Sequence, residues 1–179
     1  GTVTDNTNET STNEVTNTLA VGSTLTGTIG GNAITDTAAV TYTVGAVSGA
    51  TTTISAAPAS VTADGVTTST ITVQAKDGSG NNLAASAGTV VLSTTSSATI
   101  GTVTDNTNGT YTATVTNTVA EGSTITGTIG GNAITDTAAV SFTVGAVSGV
   151  TTTISSAPAS VAADGVTTSA ITVQAKDGS

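Results

Sequence analysis

The chain has 179 residues, of which 36% are hydrophobic and 7% charged, and its 2 lysines and 11 acidic residues give a net charge of −9. Binding to nucleic acid or to anionic membrane surfaces needs clusters of Lys and Arg, so this charge balance argues against both partners. Because the sequence contains neither Cys nor His, it lacks thiolate metal sites and Ser-His-Asp or Cys-His arrangements, and we expect no enzyme activity in it.

An internal repeat with a period of 100 residues organises the chain. Residues 1–79 and 101–179 agree at 66 positions and differ at 13. A period of this length corresponds to one domain per repeat in a tandem array. We expect the C-terminal part of one repeat at 1–47, a complete repeat at 48–147 and the N-terminal part of a following repeat at 148–179. These are called the first, second and third repeats below.

The composition predicts an all-β protein. Threonine is the most frequent residue, with 46 occurrences, and Thr and Val favour strands, whereas Gly, Asn and Asp favour turns. No window shows apolar residues at helical spacing. No stretch approaches 18 consecutive apolar residues either, so we expect no membrane insertion in this sequence.

The first half of the complete repeat predicts three strands. Residues 51–63 form a short strand around Ile54, which Pro58 confines to a sheet edge or to a change of sheet. After a turn at 64–65, residues 68–76 alternate, with Ile71 and Val73 on the apolar face. In the strand at 88–95 three successive residues are apolar, so its inward face is ambiguous.

The second half predicts four more strands and completes a β-sandwich of about seven. A short strand at 100–103 and a turn at 105–109 precede a strand at 110–116 with inward Tyr111. Residues 123–129 and 137–144 then form a hairpin around Gly130-Gly131, with Val144 among the inward residues. The residues expected to be structural are Ile71, Val73, Tyr111, Val115, Ile125, Val140 and Phe142.

The succession of these segments resembles bacterial immunoglobulin-like repeats of the invasin/intimin type. The most specific matches are Ala-Asp-Gly at 63–65, Lys-Asp-Gly-Ser-Gly-Asn at 76–81 and Asn-Gly-Thr-Tyr-Thr-Ala at 108–113. The resemblance implies tandem immunoglobulin-like sandwiches in an extracellular protein at the bacterial cell surface. It also implies that Tyr111 packs between the sheets near a corner.

The first repeat departs from this pattern at one strand. Ser11 and Asn13 stand where the second repeat has Tyr111 and Ala113. Loss of a buried Tyr and burial of an amide each cost on the order of a few kcal/mol in an ordinary core. We therefore expect the first repeat to be looser than the second, or to pack this edge against another partner.

Two loops are candidate calcium sites, and calcium is the one cofactor that the sequence suggests. Oxygen-bearing side chains alternate in these Gly-containing loops, as a hard cation prefers, although neither loop is a complete EF-hand. The candidate ligands are Asp77, Asn81, Asp105, Asn106 and Asn108. The other interpretation, which we favour, is that Asp and Asn are present because they form turns.

Rows of outward threonines form a second unusual feature. Three strands carry them at successive outward positions and without charged neighbours. They are compatible with an ordinary solvated surface, with O-glycosylation or with lateral packing of subunits. Surfaces poor in Lys and Glu are weakly protected against association, which keeps the packing interpretation open.

These observations favour a mechanical role. The leading hypothesis is a set of spacer repeats that project the binding tip of a bacterial adhesin, with short connections near 145–151 that limit bending. The alternative is a subunit of a self-assembling extracellular filament or coat, in which a strand of one chain completes the sheet of another. A third hypothesis is a binding module that uses the loops 77–82 and 105–109. The expected partners are other copies of the repeat, either as tandem neighbours or in a homopolymer.

Overall fold

The structure, a computed structural model, describes residues 3–5, 7 and 10–178. The strands of the first repeat are β1 Thr4–Asp5, β2 Ser11–Thr12, β3 Gly22–Leu25, β4 Thr28–Ile29, β5 Asn32–Ala33 and β6 Ala38–Thr41. The strands of the second repeat are β7 Thr53–Ala57, β8 Ser60–Thr62, β9 Ser69–Gln74, β10 Val90–Thr94, β11 Thr99–Ile100, β12 Thr104–Asp105, β13 Thr110–Thr116, β14 Gly122–Ile129 and β15 Asn132–Thr143. The third repeat contributes β16 Thr153–Ala157 and β17 Ala170–Gln174.

Two sheets enclose the core of the second repeat. One sheet has the strand order β10-β14-β15-β8, and the other has the order β11-β13-β9-β7 with β12 also paired to β13. The predicted all-β sandwich is confirmed. Alternation of apolar and polar residues places one face of each strand between the sheets. The buried hydrophobic side chains include Ile54, Val61, Ile71, Val73, Tyr111, Val115, Ile125, Ile129, Val140 and Phe142.

The chain changes sheet at Pro58. The strand β7 pairs with β9 in one sheet, whereas β8 pairs with β15 in the other, and a cis Ala57-Pro58 peptide bond lies between them. Proline has no N–H to donate to a ladder, so this position suits a break between two strands. Both placements predicted for Pro58 are observed, because the chain changes sheet there and β7 and β8 are each the edge strand of their sheet.

Two predictions of strand detail were wrong. The single strand expected at 100–103 is divided into β11 and β12, and the three residues between them belong to neither strand. A Cβ on Gly101 would lie 2.8 Å from the hydroxyl of Thr114, so glycine permits the chain to approach β13 closely here. Val144, expected to point inward, is 69% exposed because β15 ends one residue earlier.

The ambiguous apolar run at 90–92 and the hairpin at 130–131 are both resolved. Val90 is 6% exposed and faces the core, whereas Val91 is 58% exposed. The pair Ile129 and Asn132 closes a two-residue turn in which Gly130 and Gly131 have φ values of 55° and 83°. Two successive positive φ values match the hairpin turn that favours the right-handed twist of strands.

Cross-strand threonine pairs cover the outer face of the five-stranded sheet. Thr70 is the register partner of Thr114, and Thr72 is the partner of Thr112. Both residues of the first pair are exposed, and both residues of the second are half-buried. Neighbouring hydroxyl-bearing side chains of this kind stabilise an antiparallel sheet without contributing charge.

The first and third repeats expose residues whose equivalents in the second repeat are buried. Ile171 and Val173 are 62% and 61% exposed, whereas Ile71 and Val73 in the second repeat are 0% and 1% exposed. In the first repeat, Ser11 and Asn13 are exposed. The expectation that the first repeat is looser when complete stays a prediction.

Candidate functional site at the junction between repeats

Three acidic side chains of the second repeat accept hydrogen bonds from groups of the same repeat. Asp105 accepts the N–H of Thr107 at 2.8 Å, and Asp136 accepts the N–H of Ile54 at 2.9 Å. Glu121 accepts hydrogen bonds from Ser97 and Asn117, and the Ser97 hydroxyl is the largest of the causes that lower its pKa. Within the described part of the chain, no three His, Cys, Asp or Glu residues are grouped to hold a metal ion.

Asp64, in the turn after Ala63, accepts hydrogen bonds from the residues that follow it. Asp64 accepts the N–H groups of Val66 and Thr67 and the hydroxyl of Thr67, at 2.6–2.8 Å. These bonds, led by the one from the Thr67 hydroxyl, lower the pKa of Asp64 to about 2. In the third repeat, Asp164 makes the same bonds and its pKa is also lowered to about 2. Asp64 therefore stabilises the turn in which it lies.

Asp77 differs because it binds the preceding repeat. Its Oδ2 accepts the main-chain N–H of Gly45 at 2.9 Å, and its Oδ1 accepts the N–H groups of Ser79 and Asn81 at 3.0 and 2.9 Å. The side chain is 4% exposed. The hydrogen bond from Gly45 is the largest cause that lowers the pKa of Asp77 to about 2, followed by the bond from the Asn81 side chain. An ionised carboxylate thus joins residue 45 to the loop of the next repeat.

Asn81 makes a second contact across the same boundary. Its Nδ2 donates to the carbonyl of Thr18 at 2.9 Å, and its Oδ1 accepts the N–H of Ala20 at 3.1 Å. Thr18 and Ala20 lie in the loop 17–20. Asn17 stabilises this loop, since its Oδ1 accepts the N–H of Leu19 at 3.0 Å. The Asn81 amide also donates to both oxygens of Asp77, at 2.9 and 3.2 Å. The two candidate calcium ligands of the loop 77–82 therefore lie together and bind each other and the first repeat.

The connecting segment itself is hydrogen-bonded to the second repeat. Val47 forms a β-bridge with Asp77, and the N–H of Ser48 donates to the carbonyl of Lys76 at 2.8 Å. Thr51 then donates its hydroxyl to the carbonyl of Asp77 at 2.6 Å. Because the connection is paired along its length, it restricts the two repeats more than a free linker would.

The next boundary repeats these contacts at an offset of 100. The N–H of Gly145 donates to Oδ2 of Asp177 at 3.0 Å, and Val147 forms a β-bridge with Asp177. The N–H of Ser148 donates to the carbonyl of Lys176 at 2.8 Å. Loop 117–120 keeps its shape as well, since Oδ1 of Asn117 accepts the N–H of Val119 at 3.0 Å. The second repeat therefore carries Asp77 at one boundary and Gly145 at the other, one half of the same contact at each end.

The second candidate calcium loop contains turn-forming contacts. Oδ1 of Asn108 accepts the N–H and the hydroxyl of Thr110 at 3.1 and 2.6 Å, and Asn106 donates to the same hydroxyl at 3.0 Å. Gly109, with a φ of 81°, packs so closely that a Cβ there would lie 1.9 Å from the carbonyl oxygen of Leu83. This loop therefore lies beside the segment that follows the loop 77–82.

Sequence reasoning identified the residues of the loop 77–82 but missed their role. The sequence predicts Asp77 and Asn81 as turn formers or cation ligands, and no pattern in it links them to Gly45. The available signal was the repetition of both Gly45 and Asp77 at 145 and 177. Repetition does not show which two residues meet, because that depends on how one repeat packs on the next.

Comparisons with known proteins agree with this architecture. The model of the family described as invasin, domain 3 matches residues 48–145. No protein of the curated collection matches the chain. No helix in the described part of the chain is long and apolar enough to cross a membrane.

Three solved structures show the similarity. The crystal structure of invasin, a bacterial integrin-binding protein, is 26% identical with a TM-score of 0.59, over 91% of this chain and 33% of invasin. The Yersinia pseudotuberculosis adhesin InvE is 27% identical with a TM-score of 0.54, over 64% of this chain and 32% of InvE. The Escherichia coli adhesin FdeC shares the fold, at 24% identity and a TM-score of 0.56, over 90% of this chain and 52% of FdeC.

The chain thus spans between a third and about half of the length of these structures. The family match covers more than half of the chain and lies on the residues that build the sandwich. The chain therefore belongs to the invasin domain 3 family, and the matched residues 48–145 form an immunoglobulin-like domain of the kind found in bacterial surface adhesins.

Proposed function

We propose that this chain is a spacer segment of a bacterial surface adhesin, in which tandem immunoglobulin-like domains hold a binding tip away from the cell. In this proposal the domain boundaries lie near 47/48 and 147/148, and the range 48–145 matched by the family model supports that placement. The observation that carries the proposal is the junction, where Asp77 and Asn81 bind main-chain groups of the preceding repeat. A spacer needs ordered connections, and here these side chains provide them.

The repetition of the junction supports the same function. Gly145 and Asp177 reproduce the contact of Gly45 and Asp77. Added repeats therefore extend the array through one kind of connection. We place this spacer outside the cell, as the named adhesins imply, and antibody labelling of intact cells tests that location.

A distance measurement across the junction tests the spacer directly. The natural sequence has no Cys, so spin labels can be attached at Thr41→Cys and Thr70→Cys without other changes. Both positions are exposed, and the following copy has Ser141 and Ala170 there, so small side chains are tolerated. An ordered junction gives one narrow distance distribution between the labels.

Two asparagine variants test whether the Asn81 contacts produce the order of the junction. Asn81→Ala removes both contacts with the loop 17–20, and we expect the distribution to broaden. Asn82→Ala changes an exposed neighbour in the same loop and should leave the distribution narrow. A broad distribution in the natural chain, or an equal width in all three proteins, would contradict an ordered spacer.

A self-assembling filament or coat is the second candidate. The outer face of the five-stranded sheet carries cross-strand threonine pairs, Thr70 with Thr114 and Thr72 with Thr112. Sheet surfaces that are poor in Lys and Glu are weakly protected against association, which favours lateral packing of copies through this face.

Sedimentation velocity over a range of protein concentrations separates the two candidates. Lateral packing predicts assembly that grows with concentration and decreases in Thr114→Asp, a change at an exposed residue of the threonine face. The spacer predicts one monomeric species at all concentrations. Val66→Asp, at a residue that is 80% exposed in the second repeat, is the control for an added surface charge.

A further inference from the structure

The two basic residues of the chain occupy equivalent positions in successive repeats. Lys76 and Lys176 are the only Lys or Arg residues in the sequence, and they lie 100 residues apart. The residues around them are the same, because 71–79 and 171–179 are identical. A protease of trypsin-like specificity, whose acidic pocket pairs with a Lys or Arg cation, therefore finds two peptide bonds in the chain, 76–77 and 176–177. The first of these bonds lies in the junction described above.

Both polar groups of the peptide bond between Lys76 and Asp77 are hydrogen-bonded. The carbonyl of Lys76 accepts the N–H of Ser48 at 2.8 Å, and the N–H of Asp77 donates to the carbonyl of Asn81 at 2.9 Å. A protease needs both groups in its own active site, because its oxyanion hole binds the carbonyl oxygen and its general acid protonates the leaving nitrogen. Neither group is available to a protease while these two bonds are formed.

The chain immediately before this bond is held in the interior of the second repeat. Ala75 is fully buried, and its N–H donates to the carbonyl of Gly109 at 2.9 Å. The N–H of Lys76 donates to the hydroxyl of Thr52 at 3.2 Å. Proteolytic cleavage concentrates in exposed segments that can leave the fold and enter the protease. Cleavage at 76–77 therefore requires local opening of this segment.

The residues that close this bond are the residues that connect the two repeats. Ser48 belongs to the connecting segment, and the Asp77 carboxylate accepts the N–H of Gly45 at 2.9 Å. Asn81, whose carbonyl accepts the Asp77 N–H, also binds the loop 17–20 of the first repeat through its side chain. Opening of the segment around the bond therefore coincides with loss of the junction.

We propose that the Lys76–Asp77 bond is a cleavage site for proteases of trypsin-like specificity, and that this site stays closed while the junction is formed. Cleavage breaks the bond between the Lys76 carbonyl carbon and the Asp77 nitrogen, and water supplies the hydroxyl of the new carboxyl group and a hydrogen to the new amine. The cut leaves β7–β9 and β10–β15 joined by noncovalent contacts alone. An ordered array thus resists such proteases, whereas an array with an open junction is cut at the boundary. The inference rests on the junction that carries the proposed spacer function.

Limited digestion of the full chain with trypsin under native conditions, followed by mass spectrometry of the products, tests this site. Lys176 is the internal comparison, because the residues around it are identical but its side chain is exposed, whereas Lys76 is half-buried. Cleavage at 176–177 should be at least about tenfold faster than cleavage at 76–77. Cleavage at 76–77 that is as fast as cleavage at 176–177 would overturn the proposal.

Two variants identify the opening that admits the protease. Asn81→Ala removes the side-chain bonds to the loop 17–20, and it should accelerate cleavage at 76–77 about fivefold or more. Tyr111→Phe removes the bond from the N–H of Ala87, which lies within the second repeat, and should leave the cleavage rate unchanged. Equal acceleration by both variants would mean that the protease reaches the bond through unfolding of the whole repeat, which would overturn the proposal.

A second pair of variants tests the connecting segment. Ser48→Pro removes the N–H that binds the Lys76 carbonyl, and Ser148→Pro makes the same change beside Lys176. Cleavage at 76–77 should be faster in Ser48→Pro and unchanged in Ser148→Pro, and an unchanged rate in both would overturn the proposal. Failure of the spacer is distinguishable, since a broad spin-label distance distribution with slow cleavage at 76–77 contradicts the spacer alone. A narrow distribution with fast cleavage at 76–77 overturns the closed site alone.

Discussion

The main-chain N–H of Gly45 and the carboxylate of Asp77 meet across the boundary between two repeats, with 2.9 Å between donor and acceptor. Gly145 and Asp177 meet in the same way at 3.0 Å. The contact joins a group that every residue except proline possesses to a side chain that is ionised at neutral pH. Its strength therefore depends on protonation of the Asp and on the local path of the chain.

We expect the junction to lose order in acid. The pKa of Asp77 is lowered from 3.8 to about 2, so the ionised form stabilises the folded junction above about pH 4. That contribution is lost as the pH falls from about 3.8 through about 2, and the distance distribution between labels at 41 and 70 should broaden in this window.

An Asp77→Asn variant is the control for this titration. It keeps the size of the side chain but has no proton to gain, so its distribution should be broader at neutral pH and change less in acid. Asp105→Asn, in a loop that contacts no other repeat in the described hydrogen bonds, should retain the response of the natural chain. The pKa of Asp64 is also lowered to about 2, so the readout must be the junction distance and not overall unfolding.

We expect calcium to leave both the stability and the junction unchanged. The oxygens of Asp77 already accept hydrogen bonds from Gly45, Ser79 and Asn81. A cation that took these oxygens would have to displace those donors. Thermal unfolding and spin-label distances, measured with excess calcium and with a chelator, should coincide. A higher melting temperature in calcium would instead identify 77–82 or 105–109 as an ion site.

Removal of the Tyr111 hydroxyl should destabilise the second repeat. The hydroxyl accepts the N–H of Ala87 at 2.7 Å, and the side chain is 2% exposed. Tyr111→Phe leaves this N–H without its partner, which costs about 1–3 kcal/mol of the free energy of unfolding. Urea denaturation measures the change. The control is Tyr42→Phe, which introduces the residue already present at 142 and should change the free energy of unfolding by less than about 0.5 kcal/mol.

The same truncation should have a large cost in one copy of a strand and almost none in the other. Ile71→Ala removes a side chain that is 0% exposed and should cost about 2–5 kcal/mol. Ile171→Ala removes one that is 62% exposed, and its cost should be within about 0.5 kcal/mol. Urea denaturation of both variants compares them. Equal costs would mean that the third repeat is covered in solution, as strand addition by another copy requires.

The sequence pattern predicted the sandwich because the alternation of apolar and polar residues along a strand indicates which face of the strand is buried. Ile71, Val73 and Val115 alternate with threonines, and the structure buries all three. Alternation gave no answer for Val90 and Val91, since adjacent apolar residues satisfy either face. Val144 continues the period of its strand, but the strand ends one residue before it, at Thr143.

The junction was not predictable from local sequence for a different reason. Asp77 and Asp64 are both followed by Gly and both cap turns, and their pKa values are lowered to a similar extent. Only tertiary packing distinguishes them, by placing Gly45 beside one and not the other. Sequence rules for turns describe the donors that follow an Asp within a few residues, whereas this donor precedes it by 32 positions.

The offset of 100 residues between the two junction contacts has a geometric consequence. A connection that is the same at every boundary applies the same rotation and the same translation each time, and successive equal steps of this kind generate a helix. Adding or deleting one repeat would then rotate the end of the array about the helix axis, and it would also change the distance of that end from the base. The number of repeats would thus determine the orientation of the last domain as well as the length of the array.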